Sequence, residues 1–212
     1  MSKLNVDQKA IIDLLSDKKA DFLIPDYQRP YAWNEEQCQT LWDDIFSFSF
    51  PDNDYEAFDD NEEYFLGSIV TYKNENAKSE VIDGQQRLTT LMLILRAFYD
   101  KFSNMQDKNS KLTRDRIEKC IWKTDTFGTA DKNTLKIDSE VATDNDKEEF
   151  LELLRTGIVK QGSKSQYVLN YQFFQKRIND FLHAFPCFFP YLPARILSNC
   201  ILLPIEAEIG RA

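Results

Sequence analysis

The sequence contains a single histidine, His183, and this scarcity excludes several kinds of site. A metal centre that needs two or more histidine ligands cannot form from this chain alone. The four cysteines, Cys38, Cys120, Cys187 and Cys200, form no C-x-x-C pair, so the pattern typical of a zinc site is also missing. Because their sequence surroundings are apolar, we expect buried free thiols rather than disulfides or metal ligands.

Long apolar runs are absent as well. No stretch of about 18 uncharged apolar residues occurs, and the first ten residues lack the apolar segment of a signal peptide. We therefore expect a cytoplasmic protein that does not enter the membrane. The chain has 212 residues, of which 42% are apolar and 13% aromatic, so it is long enough to bury a substantial core.

Basic residues are too few to balance the acidic ones, and the net charge is −9. Residues 52–63 alone contain seven acidic residues and no basic residue, which predicts a polar surface loop. Non-specific affinity for nucleic acid comes from lysine and arginine that neutralise phosphates. The overall charge therefore argues against a protein that wraps DNA by its general electrostatic field.

The most informative stretch runs from residue 80 to residue 102, where a short apolar run meets a glycine and then a long helical pattern. Residues 80–83 predict the end of a strand. From Leu88 to Phe102, apolar residues recur at the 3.6-residue spacing of a helix with one buried face. Arg96 falls off that apolar spacing, and we expect it to be solvated.

Gly84 stands between this strand and this helix, and a glycine there can adopt a positive φ. The helix could then present the free N–H groups of its first turn, Gln85, Gln86 and Arg87, to an anion. Arg87 would add a planar set of donors that matches phosphate oxygens. The alternative is an ordinary turn between a strand and a helix, with a solvated arginine.

A second candidate for ligand binding is the loop of residues 25–33. Its two prolines exclude a helix and favour a rigid, extended loop. Tyr27, Gln28 and Arg29 give this loop an unusual concentration of donors and aromatic faces, which suits ligand binding. Alternatively, the aromatic residues fix the loop to the core, and Arg29 is solvated or ion-paired.

The remaining patterns predict an α+β protein. Asn34 and Gln37 have the spacing of a capping box at the start of a helix. Residues 64–72 and 80–83 predict two antiparallel strands, and Gly67 within the first marks a bulge or the close approach of a ligand.

Beyond residue 102 the pattern is mainly helical. It predicts helices over 112–122, 147–155 and 166–182, the second capped by Asp144 or Asn145, and a strand over 200–205. A further helix is predicted over 6–15.

Three motifs together resemble the N-terminal domain of the GmrSD-type restriction endonucleases, a family of modification-dependent type IV enzymes. They are IPDYQRPYAW at residues 24–33, YFLGSIV at 64–70 and IDGQQRLTTL at 82–91. Their order and spacing are more specific than any one motif. Asn170 and Tyr171, followed by two phenylalanines, also resemble a later signature of that family.

The resemblance implies a fold like that of ParB and sulfiredoxin, with a small mixed sheet and helices followed by a mainly helical subdomain. It implies a nucleotide-binding domain over residues 1–105, and over 106–212 a mainly helical extension that is truncated. The expected function is that of an NTP-hydrolysing regulatory domain in a prokaryotic DNA restriction and phage-defence protein. A C-terminal HNH-type nuclease domain is expected in the intact protein and would provide the contact with DNA, so we expect no nuclease activity from this chain.

The resemblance also implies roles for individual residues. Gly84 and Arg87 match positions that hold nucleotide phosphates, Asp83 would place Mg²⁺ or a water, and Gln85 and Gln86 would orient the γ-phosphate or the attacking water. The implied catalytic residues are Asp83, Gln85, Gln86 and Arg87, and the implied nucleotide-binding residues are Tyr27, Gln28, Arg29, Gly84, Arg87 and Thr89. In the alternative hypothesis, the same fold binds DNA or a partner protein and has lost turnover.

Overall fold

The computed structural model describes residues 7–207. This part of the chain forms seven α-helices, a mixed six-stranded sheet and a separate two-stranded sheet, as expected for an α+β protein. The helices are α1 (Ile11–Leu15), α2 (Glu35–Ser49), α3 (Gln85–Ser103), α4 (Lys108–Ile121), α5 (Lys147–Thr156), α6 (Gln166–Ala184) and α7 (Tyr191–Asn199). The strands are β1 (Lys9–Ala10), β2 (Phe22–Ile24), β3 (Tyr64–Lys73), β4 (Ser79–Asp83), β5 (Trp122–Thr124), β6 (Ala130–Leu135), β7 (Ile137–Ser139) and β8 (Cys200–Glu206).

The order of strands in the large sheet is β1-β8-β3-β4-β2-β7. Strand β2 lies parallel to both β4 and β7, so these three strands end at the same edge of the sheet. Strand β3 runs antiparallel to β4 and parallel to β8. The loop that follows β2 and the glycine that follows β4 therefore leave the sheet side by side, and this topology brings the two candidate stretches together.

Helix α3 is the central helix of the protein. Every residue from Leu88 to Phe98 is buried, because α4, α5 and α6 all pack around the helix. The prediction of a single buried face was therefore wrong for the middle of this helix. Threonines, an arginine and apolar residues share the buried surface, which is typical of a helix enclosed on all sides.

The prediction that Arg96 is solvated was also wrong, since this side chain is 3% exposed. Its Nη1 lies 2.7 Å from Asp100 Oδ1, and its Nε donates to Leu153 O at 3.3 Å. The guanidinium group also lies over the rings of Tyr99 and Trp122, 5.1 Å and 5.2 Å from their centroids. The charge is thus buried with a carboxylate and two aromatic faces, an arrangement that no helical spacing predicts.

Most of the predicted elements are present in the structure, and several of them differ from the prediction at their ends. The capping box of Asn34 and Gln37, the β3 and β4 pair and the strand at β8 are confirmed. Helix α4 ends one residue before Trp122, and α5 begins after Asp146 rather than after Asp144 or Asn145. The first helix begins at Ile11, and residue 6 of its predicted span lies outside the described residues.

The second half of the chain contains strands that the helical pattern did not predict. Strands β5, β6 and β7 and helix α7 were all missed, although β7 and β8 join the large sheet beside strands of the first half. The division into domains at residues 105 and 106 stays a prediction. Strand β6, with the sequence ADKNTL, has almost no apolar residues, and its pairing with β5 is what makes it a strand.

The cysteines and the membrane prediction can be compared with the structure directly. All four cysteines are free, and three are buried as expected, but Cys187 is exposed. It lies between two prolines and aromatic residues in the turn before α7, where apolar neighbours in sequence do not mean burial. Within residues 7–207, no helix has the length and apolar character needed to cross a bilayer.

Candidate functional site

The start of α3 has the backbone geometry of an anion site. Gly84 precedes the helix with φ 89° and ψ 5°, a left-handed conformation that favours glycine. A Cβ atom there would lie 2.8 Å from Ser68 O, so a side chain would also collide with β3. The first bond of the helix runs from Leu88 N to Gly84 O at 3.0 Å. The three preceding N–H groups therefore have no acceptor within the helix and are positioned to bind an anion.

Arg87 lies against β3 in a space that a second glycine creates. Its Nη1 donates to Ser68 O at 3.0 Å. A Cβ at Gly67, where φ is 125°, would lie 2.6 Å from Arg87 Cζ. The register between β3 and β8 shifts between Phe65 and Gly67, so Gly67 marks a bulge and also permits the close approach of a side chain. The glycine within a predicted strand was the sequence signal for this feature.

The loop of residues 25–33 lies beside the start of α3. Gln28 Nε2 donates to Val81 O at 3.2 Å and to Ile82 O at 2.9 Å, and this fixes the loop to the end of β4. Gln85 Nε2 donates to Arg29 O at 3.0 Å. The structure thus brings together two stretches more than 50 residues apart in the chain, in agreement with the topology of β2 and β4.

Gln86 forms three further hydrogen bonds with the same loop. Its Oε1 accepts from Ala32 N at 2.8 Å and from Trp33 N at 3.3 Å, and its Nε2 donates to Pro30 O at 3.2 Å. Gln85 and Gln86 are each 7% exposed. These contacts give both glutamines a role in holding the loop. The roles that the resemblance implied, with the γ-phosphate or the attacking water, stay predictions.

Buried polar residues of α3 and α6 contact the loop from the protein interior. Tyr31 Oη and Thr90 Oγ1 are 2.7 Å apart, and Thr90 Oγ1 also donates to Gln86 O at 2.8 Å. Asn170 of α6 donates to Tyr31 Oη at 2.9 Å. Burial raises the pKa of Tyr31 strongly, so the phenol is neutral and can both donate and accept. No local sequence signal indicates a site role for Tyr31, Thr90 or Asn170, because their partners are distant in sequence.

The other predicted site residues differ in their accessibility. Asp83 and Arg29 are exposed, whereas Thr89 is 2% exposed and faces the interior beside the buried core of α3. Tyr27 is 63% exposed. Partial burial raises the pKa of Tyr27, and the charges of Glu80 and Asp26 raise it further. Asp83, Arg29 and Tyr27 are therefore available to a ligand, and Thr89 has a position typical of a packing residue.

Asp83 is the predicted metal ligand. In the described part of the chain, no three His, Cys, Asp or Glu side chains lie together in an arrangement that could hold a metal ion. One exposed carboxylate still suits Mg²⁺, which is often bound by one or two carboxylates together with substrate phosphates and water. Asp83 thus fits a metal that arrives with a phosphorylated ligand, and it does not fit a resident metal held by protein side chains alone.

Comparisons with known proteins agree with the motifs at this site. No curated protein matches the chain. A family model described as GmrSD restriction endonuclease, N-terminal domain, matches residues 11–209. The match includes the loop after β2, strand β3 and the start of α3. Since it covers nearly the whole sequence, this chain belongs to the family of GmrSD restriction endonuclease N-terminal domains.

Proposed function

We propose that this domain of a restriction and defence protein binds a nucleoside triphosphate at the start of α3 and hydrolyses it to regulate the intact protein. The observation that supports this most strongly is the coincidence of three features at one helix terminus. These are the left-handed Gly84, the first-turn N–H groups that lack an intrahelical acceptor, and the guanidinium group of Arg87. Each favours an anion, and together they suit a phosphate chain.

The loop of residues 25–33 supplies the second side of the proposed site. Gln28 and Gln85 fix its backbone close to the start of α3, while Arg29 and Tyr27 remain exposed. Arg29 could approach a second phosphate, and the Tyr27 ring could contact the nucleoside. A triphosphate is longer than one helix terminus can surround, which is why the proposal needs the loop.

Hydrolysis requires that water attack the γ-phosphorus while the bond from the γ-phosphorus to the bridging oxygen breaks and releases a nucleoside diphosphate and phosphate. The main contribution of proteins to this reaction is positioning and charge neutralisation. In the proposal, Arg87 and the amides of α3 neutralise developing negative charge, and Asp83 orients Mg²⁺ or water. Bound Mg²⁺ would add charge neutralisation at the phosphates. Gln85 and Gln86 keep the loop in place.

A second candidate function is nucleotide-dependent or nucleotide-independent binding of DNA or protein without turnover. Its support comes mainly from Gln86. Every polar atom of the Gln86 carboxamide is hydrogen bonded to the loop, and Gln85 Nε2 is bonded to Arg29 O. Because Gln86 Oε1 already accepts two hydrogen bonds, it cannot also accept one from an attacking water unless the loop moves.

Measurements on the unmodified chain separate these functions. We expect a nucleoside triphosphate to bind in a calorimetric titration with Mg²⁺, and phosphate to be released when each of the four ribonucleoside triphosphates is supplied in turn. Binding without phosphate release would support the second function. The absence of binding for all four nucleotides would contradict the proposal for the site as a whole.

We also expect that this domain alone does not cut DNA. An HNH-type nuclease site needs more than one histidine, and the chain has only His183, which is exposed on the last turn of α6. The measurement is incubation of plasmid and modified phage DNA with the protein, Mg²⁺ and nucleotide. Nicking that follows the protein through every purification step would show that this domain carries nuclease chemistry after all.

A further inference from the structure

Asn170 is a buried polar residue of α6 whose whole carboxamide is engaged. It is 1% exposed. Its Nδ2 donates to Trp33 O at 2.7 Å and to Tyr31 Oη at 2.9 Å, and its Oδ1 accepts from Gln166 Nε2 at 2.9 Å. Because Trp33 O can only accept, it fixes which end of the carboxamide faces the loop. Both donors of Asn170 thus bind the segment that carries the candidate ligand residues.

The loop is consequently held by two helices from different halves of the chain. From α3, Gln86 binds the backbone at Pro30, Ala32 and Trp33. From α6, Asn170 binds Trp33 and Tyr31. Helix α6 begins 81 residues after the start of α3, at residue 166 against residue 85, yet it packs directly against α3. The position of the loop therefore depends on the part of the chain beyond residue 106 as well as on the candidate site itself.

Aromatic packing continues this support into α5. The Tyr31 ring stacks on Tyr167 with centroids 4.8 Å apart, and Tyr167 stacks on Phe150 with centroids 4.6 Å apart. Tyr167 Oη also donates to the buried carboxylate of Asp144. Such a chain of stacked rings restricts the rotamers of Tyr31. The hydroxyl that accepts from Asn170 is thereby held in one place.

We propose that Asn170 is a positioning residue for the nucleotide site, which acts through the loop of residues 25–33. It fixes Trp33 and Tyr31 and so helps to keep the backbone that carries Arg29 and Tyr27 beside the start of α3, although it does not itself touch the ligand. The role rests on the function proposed above. It implies that α6 is part of the nucleotide site and that the first 105 residues alone do not position the loop.

The test uses Asn170→Asp in the full chain. This variant keeps the size of the side chain and the oxygen that accepts from Gln166 but loses both N–H donors. Asn179→Asp is the matched control on the same helix, because Asn179 is exposed and accepts from Lys101 Nζ at 2.6 Å, which an aspartate can also do. Tyr31→Phe removes a single hydroxyl and provides a second, milder variant.

Three measurements are needed, each at a temperature where melting curves show all variants folded. The first is amide hydrogen exchange of a peptide that covers residues 28–34, without ligand. We expect faster exchange in Asn170→Asp, a partial effect in Tyr31→Phe and none in Asn179→Asp, with saturating nucleotide restoring protection. The second is the calorimetric affinity for a non-hydrolysable triphosphate. We expect about tenfold weaker binding in Asn170→Asp, because two hydrogen bonds that order the loop must be replaced. The third is the steady-state rate of phosphate release from a hydrolysable triphosphate, in which we expect KM to rise by a larger factor than kcat falls.

The outcomes separate the two proposals. If the unmodified chain binds no triphosphate, the proposed function is wrong and the positioning role is wrong with it, whatever the exchange data show. If the unmodified chain binds but Asn170→Asp binds as tightly as Asn179→Asp, only the positioning role is overturned. Should Asn170→Asp fail to fold, Tyr31→Phe decides: weaker binding by about threefold or more supports the role, and unchanged binding overturns it.

Discussion

Replacement of Arg87 by alanine should weaken the binding of a nucleoside triphosphate by roughly tenfold to a hundredfold or more and leave the protein folded. A charge-assisted hydrogen bond is worth about 1.5–3 kcal/mol, and each factor of ten in affinity corresponds to about 1.4 kcal/mol. Arg87 Nη1 bonds to Ser68 O, so the guanidinium is already oriented at the start of α3. A ligand that binds there does not need to order the Arg87 side chain. The loss of affinity in Arg87→Ala should therefore lie in the upper part of the expected range.

The effect on folding should be small by comparison. Arg87 is half-buried, and its loss removes one hydrogen bond to a strand carbonyl. Such a bond contributes about 0.5–1.5 kcal/mol, or somewhat more when the donor is charged. Arg87→Lys should bind nucleotide with intermediate affinity, because lysine keeps the charge but lacks the planar set of donors.

Arg155→Ala is the matched control for Arg87→Ala. Arg155 lies in the last turn of α5, and its Nη1 is 2.7 Å from Glu152 Oε2, with side chains 36% and 56% exposed. A surface ion pair of this kind contributes about 0–1 kcal/mol. Calorimetric titration of both variants with a non-hydrolysable triphosphate, alongside melting curves, decides the matter. Equal affinities, or an unfolded Arg87→Ala, would show that Arg87 has a structural role instead.

The location of the candidate site could be predicted from the sequence because its signals are local. Gly84 follows an apolar run and precedes a helical pattern, and the left-handed glycine cap lies where this junction places it. The capping box of Asn34 and Gln37 is local too and was predicted correctly. Such features depend on residues within a few positions of one another, so neighbouring residues are enough to identify them.

The contacts within the site could not be predicted because they join distant parts of the chain. Gln86 and Ala32 are 54 residues apart, and Asn170 and Trp33 are 137 apart. A glutamine beside a glycine in a phosphate-binding pattern looks like a ligand contact. Its actual partners emerge only when β2 and β4 are known to lie side by side. The short strand β7 was missed for the same reason, since three residues become a strand through pairing with β2.

The burial of Arg96 could not be predicted from the local sequence either. Its sequence position, among apolar residues but off their spacing, indicated solvent. In the structure, α4, α5 and α6 enclose α3, so a charged residue on any side of its middle turns must find partners. Asp100, four residues later, is the partner that sequence spacing could have suggested.

Arg96→Ala should therefore destabilise the protein strongly, by about 3 kcal/mol, because removal of one member of a buried ion pair leaves the other charge without compensation. The side chains of Arg96 and Asp100 are 4% and 26% exposed, and this partial exposure places the expected loss at the lower end of the usual range. For a protein of this size, the loss corresponds to a melting temperature lower by roughly 6–12 °C. Thermal unfolding followed by circular dichroism, with Arg155→Ala as the surface control, measures it.

The destabilisation should depend on pH through Asp100. Burial raises the pKa of this carboxyl, while Arg96 and the Tyr171 hydroxyl lower it, with burial the larger influence. Loss of Arg96 removes a lowering influence and raises the pKa further. A carboxyl whose pKa is higher in the folded than in the unfolded state binds more protons when folded, so stability falls as pH rises through that window. The deficit of Arg96→Ala relative to the unmodified protein should accordingly be largest at neutral pH and shrink as the pH falls toward the ordinary pKa of aspartate.

A double variant separates the lost ion pair from the lost packing. Asp100→Asn combined with Arg96→Ala removes the uncompensated carboxylate, so the double variant should be more stable at neutral pH than Arg96→Ala alone. Its stability should also depend less on pH. Tyr171 can still donate to the amide oxygen of the new asparagine, so that contact is preserved. A double variant no more stable than Arg96→Ala, with the same pH dependence, would show that the arginine acts through its packing on Tyr99 and Trp122 and not through Asp100.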